Sequence, residues 1–213
     1  MSPVDWSLYL VTDPVIGGGD VVETVAQALD GGVSVVQLRD KHAGDDEFRR
    51  TTEQLLEILG EVPLFLNDRA HIAAEFRTHL HIGQDDLSYV QARELLHEEQ
   101  MIGLSVGSDA ELDAALALPG RRPDVLGLGP VYSTTTKTNA PAGVGPEAVA
   151  AWAARSEDMA TVAIGGAVNA ALLAMQMLAI TDADLAKKLA DKRAADTAAV
   201  LEKNAAVEAE FNK

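Results

Sequence analysis

Two short runs, Leu66-Asn67-Asp68-Arg69 and His81-Ile82-Gly83-Gln84-Asp85-Asp86, place carboxylates directly behind apolar stretches. Other apolar stretches end in cations or hydroxyls: Arg39 and Lys41, Ser105, and Thr134 to Lys137. Carboxylates suit a hard cation, and cations with hydroxyls suit phosphate oxygens. The set therefore has the chemistry of a Mg2+-diphosphate site. Gln37, Arg39 and Lys41 alternate, so a strand would carry them on one face. There Arg39 offers a planar fork to phosphate and Lys41 a point charge.

Each segment also has a plainer reading. The Gln37–Lys41 pattern equally describes a solvated strand end. Asn67-Asp68 equally describes an Asx turn or a helix cap. One of Asp85 and Asp86 is expected to cap the next helix, while Gly83 permits a tight turn that aims Asp86 inward. His81 is more often a packed or solvated side chain than a ligand contact. Gly127 to Lys137 is less bland: a strand ends in Gly-Pro, and a hydroxyl cluster then meets one lysine. Such a loop wraps anionic oxygens with hydroxyl and backbone donors, and its length through Val144 suits a lid. Gly165-Gly166 would let backbone approach a phosphate. Gly17-Gly18-Gly19 reads as a loop.

The elements that must position these residues alternate. Strands are predicted near Leu8–Thr12, Val33–Leu38, Pro63–Leu66, His79–Ile82, Met101–Val106, Val125–Leu128 and Thr161–Ile164. Helices are predicted from Asp20 to about Leu29, from Asp45 to about Leu59, over Tyr89–Glu98 behind Ser88, after Ser108 with Glu111 as a capping box, and from Gly145-Pro146 to about Ala154. Alternation implies a parallel sheet with helices outside. Polar residues gathered after the C-terminal ends of the strands favour a (β/α)8 TIM-type barrel, whose function sits on that rim. A doubly wound open sheet is the alternative.

Composition narrows the class. The 213 residues carry a net charge of −16, which disfavours nucleic acid and anionic membranes as partners. An anionic small molecule would need a local basic pocket. With no cysteine, thiolate metal sites and cysteine nucleophiles are excluded. No secretory signal or long apolar run is evident, so a cytoplasmic protein is expected.

Beyond Gly166 the texture changes. All 17 glycines and all 8 prolines lie at or before that residue. Residues 167–213 are alanine-rich and nearly neutral, and read as helices over Ala170–Ile180 and from Asp182 to about Ala209. No eighth strand is found. The expected division is therefore a barrel portion, 1–166, and a helical segment, 167–213. An open seam between the first and last strands would expose edges, so association with another copy is expected.

The segments Leu8 to Asp13, Val36 to Lys41, Leu66 to Arg69, His81 to Asp86, Gly103 to Val106 and Gly129 to Lys137, in this order on successive strand ends, closely resemble thiamine phosphate synthase. That family is a (β/α)8 barrel joining hydroxymethylpyrimidine diphosphate to thiazole phosphate with release of pyrophosphate. The resemblance implies that Asp68 and Asp86 ligate Mg2+. It implies that Arg39, Lys41, Asn67, Ser105 and Lys137 hold the diphosphate, that Gln37 contacts the pyrimidine, and that Thr134, Thr136 and Gly166 receive the thiazole phosphate. A thiazole tautomerase-like relative shares the fold but is disfavoured by the Asp68/Asp86 and Arg39/Lys41 pairs.

That pattern does not continue beyond Gly166. The run Met159 to Gln176, with Thr181 to Leu189, resembles the C-terminal end of N5-carboxyaminoimidazole ribonucleotide mutase, a flavodoxin-like, octameric family whose last helices serve packing. The catalytic motifs of that family lie in a part this chain lacks. The combination implies a hybrid joined near 156–166, and two outcomes: a thiamine phosphate synthase-type enzyme, or a chimeric scaffold that binds phosphate or diphosphate with little turnover.

Overall fold

The structure, a computed structural model, describes residues 4–17, 19–132, 142–156 and 158–163, and beyond them Lys187, Lys188, Ala190, Asp191 and Ala194. The chain divides into two compact units, Met1–Gly166 and Ala167–Lys213. In the second, the described residues are helical, and Lys187 donates to Asp191 one turn on, at 2.7 Å.

The first unit repeats strand and helix: β1 Tyr9–Val11, α1 Pro14–Gly17, α2 Val21–Asp30, β2 Val35–Leu38, α3 Asp45–Leu59, β3 Leu64–Asn67, α4 Ala70–Phe76, β4 His79–Ile82, α5 Tyr89–Leu95, β5 Ile102–Val106, α6 Asp109–Leu116, β6 Val125–Leu128, α7 Pro146–Arg155 and β7 Ala160–Ala163. All seven strands are parallel and lie in sequence order, β1 through β7. A doubly wound sheet must reverse its strand order, so this order excludes it.

Side-chain parity makes the sheet curl. One buried cluster lies between strands and helices and includes Val36, Leu38, Leu66, Leu80, Ile82, Leu104 and Leu126 with Phe48, Leu55 and Trp152. The alternate residues Val35, Phe65, Val125 and Val162 form a second cluster with Trp6 and Tyr9. Strands as distant as β1 and β7 share that second cluster, as they do when a sheet bends into a nearly closed barrel. Phe65 is its hub, with ring centroids 5.9 Å from Trp6, 5.8 Å from Tyr9 and 5.0 Å from His79.

Local chemistry fixes most helix ends. Asp20 caps α2 through Val22 and Glu23. Ser88 and Gln91 form a reciprocal capping box on α5. That box corrects the expectation that Asp85 or Asp86 caps this helix. The helix also stops at Leu95, short of Glu98. At α6 the box is half built: Ser108 accepts from the Glu111 N–H, but the Glu111 carboxylate turns to the Gly107 N–H at 2.7 Å. Two short helices were not predicted. α1 ends at Gly17, the first residue of the run read as a loop, and α4 is only seven residues long.

His79 gives the barrel an acid-sensitive floor. Its Nδ1 accepts from the Met101 N–H at 3.0 Å, a bond only the neutral ring can make. Burial lowers its pKa from 6.5 to about 4, with Asp124 opposing and Arg121 adding to the shift. A depressed folded pKa means the unfolded chain takes the proton first. Stability is then complete above pH 6.5 and lost as pH falls toward 4, by about 3 kcal/mol. Urea unfolding at pH 7 and pH 4.5 is expected to show that loss in the native chain and a smaller one in His79→Gln. Equal losses in both would assign it elsewhere.

Candidate active site

The barrel rim brings the strand-end residues together by register. Val11 pairs with Gln37, Leu38 with Leu66, and Asn67 with His81. One step further along β1 and β2 sets Asp13, Arg39, Asn67 and His81 in a single inward row. Gln37 sits one layer below. Its Nε2 donates to the Tyr9 hydroxyl at 2.9 Å, and burial raises the Tyr9 pKa. The Gln37 carbonyl oxygen is left as the acceptor this amide can offer a ligand.

Arg39 is anchored on both chain and side chain. Its N–H donates to Thr12 Oγ1 at 2.9 Å, and its guanidinium donates to Asp13 Oδ2 at 2.6 Å. Asp13 Oδ1 accepts from the Val15 N–H at 3.1 Å, so one carboxylate holds both the rim arginine and the first turn of α1. Neither Thr12 nor Asp13 was singled out as functional from sequence. The signal was present, because a carboxylate two residues past Val11 must flank Arg39 once Val11 pairs with Gln37.

Lys41 pairs with Asp68 Oδ2. Asp68 is not a helix cap; Arg69 occupies that position of α4. Instead Asp68 sits in the left-handed region at φ 63°, its N–H bonded to the His81 carbonyl at 2.9 Å. Short polar side chains tolerate that conformation better than others do. Arg69 faces away, bonded to the Ala43 carbonyl at 2.7 Å, paired with Asp45 and stacked over Phe48.

Asp86 does turn inward. Its Oδ2 accepts from the Gly83 N–H at 2.6 Å, and a Cβ on Gly83 would stand 3.1 Å from that oxygen. Close approach, rather than an unusual φ, is why glycine fits there. Burial pushes the Asp86 carboxyl above its ordinary range, and a hydrogen bond with Asp68 adds to it, partly offset by Gly83 and Lys41. Two carboxylates within hydrogen-bonding reach need positive charge between them. Hard oxygen donors of this kind fit Mg2+, which takes one or two carboxylates and fills its other positions with water and phosphate. Among the described residues no group of three or more His, Cys, Asp or Glu could hold a metal alone.

Ser105 closes the other side. Its Oγ lies 2.9 Å from His81 Nε2, and its carbonyl accepts from Gln84 Nε2 at 2.5 Å. His81 is buried, as a packed histidine would be, yet it faces the inner row. Gly103 makes room for it: a Cβ there would collide with His81 Nδ1 and lie 3.0 Å from Val125 Cγ1. Gly103→Ala is therefore expected to cost about 1–3 kcal/mol by overpacking, read as a lowered denaturant midpoint. An unchanged midpoint would mean that β4 and β5 can spread.

The structure thus gathers Gln37, Arg39, Lys41, Asn67, Asp68, Asp86 and Ser105 on one rim. Thr134, Thr136, Lys137 and Gly166 lie outside the described residues, as do the proposed helices over 170–180 and most of 182–209. No described helix is long and apolar enough to cross a membrane.

The family described as thiamine monophosphate synthase matches residues 8–185. The chain is 50% identical over 182 residues to the thiamine biosynthesis multifunctional protein ThiED of Corynebacterium efficiens, covering 80% of this chain and 25% of that protein. It thus spans about a quarter of that relative's length. It is 42% identical over 163 residues to the thiamine-phosphate synthase of Psychrobacter sp., covering 75% of this chain and 76% of that one. Among solved structures, the thiamine phosphate pyrophosphorylase from Pyrococcus furiosus superposes with a TM-score of 0.65 at 29% identity, covering 75% of this chain and 74% of that chain. The family match takes in all seven described strands, so the chain belongs to the thiamine monophosphate synthase family.

Proposed function

We propose that this chain joins hydroxymethylpyrimidine diphosphate to thiazole phosphate, giving thiamine phosphate and pyrophosphate. The carrying observation is the convergence of Gln37, Arg39, Asn67, Asp68, Asp86 and Ser105 from four consecutive strand ends onto one rim. Gln37, fixed by Tyr9, faces the pyrimidine. Arg39, Lys41, Asn67, Ser105 and Lys137 hold the diphosphate. Thr134, Thr136 and Gly166 take the thiazole phosphate. The C–O bond to pyrophosphate breaks, the pyrimidine methylene becomes carbocation-like, and the thiazole nitrogen forms the new C–N bond. No protein nucleophile is needed, and catalysis is positional and electrostatic.

Asp68 and Asp86 would hold Mg2+, which supplies positive charge to the departing pyrophosphate. The described rim charges favour this. Arg39 and Lys41 stand against Asp13, Asp68 and Asp86, so a diphosphate meets no net positive pocket without an added cation. The ligands are phosphorylated small molecules.

The hybrid origin rests on the sequence resemblance over 159–213. The family match continues to 185, so both readings claim 159–185, and only 186–213 falls to the second resemblance alone. Supplying both substrates with Mg2+ and following thiamine phosphate separates enzyme from scaffold. Product at a rate like that of intact relatives supports the enzyme. A folded protein that binds pyrophosphate but yields no product supports the scaffold.

A further inference from the structure

We propose that Lys41 is a place-holding cation: it neutralises Asp68 until a divalent cation takes that carboxylate, and the freed ammonium then passes to the diphosphate. Metal and diphosphate binding become coupled through this one side chain. The inference rests on the reading of the rim as a cation-diphosphate site.

Geometry decides which partner moves. Asp68 is fixed, with its N–H on the His81 carbonyl at 2.9 Å and its own carbonyl accepting from the Ala70 N–H at 3.0 Å. Lys41 stands on the loop after β2, its side chain 45% exposed on a flexible four-carbon stem, against 19% for Asp68. A divalent cation held by Asp68 would repel an ammonium on the same carboxylate. The two cations therefore compete there. Arg39 and Lys41 both follow the end of β2, and Lys41 already reaches Asp68 on the rim, so its released charge lies where the diphosphate would bind. Arg39 does not behave this way, because Asp13 pins its guanidinium and Asp13 is itself bonded to the Val15 N–H. Arg39→Met removes the same charge without vacating Asp68, which makes it the control.

Mn2+ alone serves as the probe, with the free ion read by electron paramagnetic resonance on the full chain. Lys41→Met is expected to bind Mn2+ about three-fold more tightly than Arg39→Met does, the size of one partly exposed ion pair. Calorimetric titration with inorganic pyrophosphate, corrected for the Mn2+-pyrophosphate complex in buffer, is expected to show that Mn2+ strengthens pyrophosphate binding more in the native chain than in Lys41→Met. Equal Mn2+ affinities in the two variants, or equal strengthening in both proteins, would overturn the proposal while leaving the site reading intact. Mn2+ binding that Asp68→Asn does not weaken would overturn both.

Discussion

Asp68→Asn is expected to lower the rate of thiamine phosphate formation by about 10^3-fold, the scale on which a preorganised electrostatic group acts in a transition state. The substitution keeps the shape and removes the charge. Asparagine tolerates the left-handed backbone at φ 63°, and its amide can still reach Asp86. The fold should therefore hold to within about 1 kcal/mol. Asp68→Ala removes the same charge but adds roughly 1–2 kcal/mol of backbone cost at that position, so it confounds activity with stability. Initial rates at saturating Mg2+ and both substrates decide the matter, alongside urea midpoints. An asparagine variant within ten-fold of the native rate would show that Asp68 carries no essential charge.

Phe65→Ala is expected to give the largest loss of stability, about 3–5 kcal/mol. The ring is fully buried and touches Trp6, Tyr9 and His79. His79 stands on β4, which is paired on both sides, while Tyr9 stands on the edge strand β1 and Trp6 precedes it, so the space can collapse only in part. Phe65→Leu, which keeps most of the volume, should cost less than about 1.5 kcal/mol. The comparison is made from urea midpoints at constant slope. A loss below 1 kcal/mol for alanine would mean that the inner cluster is already loosely packed.

The strands were legible because each is a short apolar run stopped by polar or turn residues. β4 and β6 fall on the residues predicted, and β7 begins one residue early, at Ala160. The strand that ends at Asn67 was placed one residue early, at Pro63–Leu66, because a polar residue at the end of an inward face looks like the start of a loop. α4 escaped notice because seven residues hold too few turns to display a period. At the site, residue types announced the chemistry but pairing was hidden. Nothing in Arg39-Asp40-Lys41 tells that one cation is tied to Asp13 and the other to Asp68, while Asp40 is spent on the N–H groups of His42 and Ala43. Such partners lie about one strand-helix unit away in sequence and appear only once register is known. Gly103 is a similar case: its meaning lies wholly in the histidine beside it.

The strictly sequential order of the strands has a consequence for assembly. The rim residues of the proposed site with described positions come from β2 to β5 and the turns after them, an unbroken stretch from Gln37 to Ser105. Each neighbouring pair closes a loop of roughly one strand-helix unit, so the entropy of bringing them together is small and similar at every step. The inner cluster shared by Tyr9 of β1 and Val162 of β7 spans nearly the whole unit and joins the strands most distant in sequence. Half of the pocket can thus mature while the ring is still open. On the proposed function, formation of the diphosphate end of the pocket and closure of the barrel are separable events, the first local and the second global.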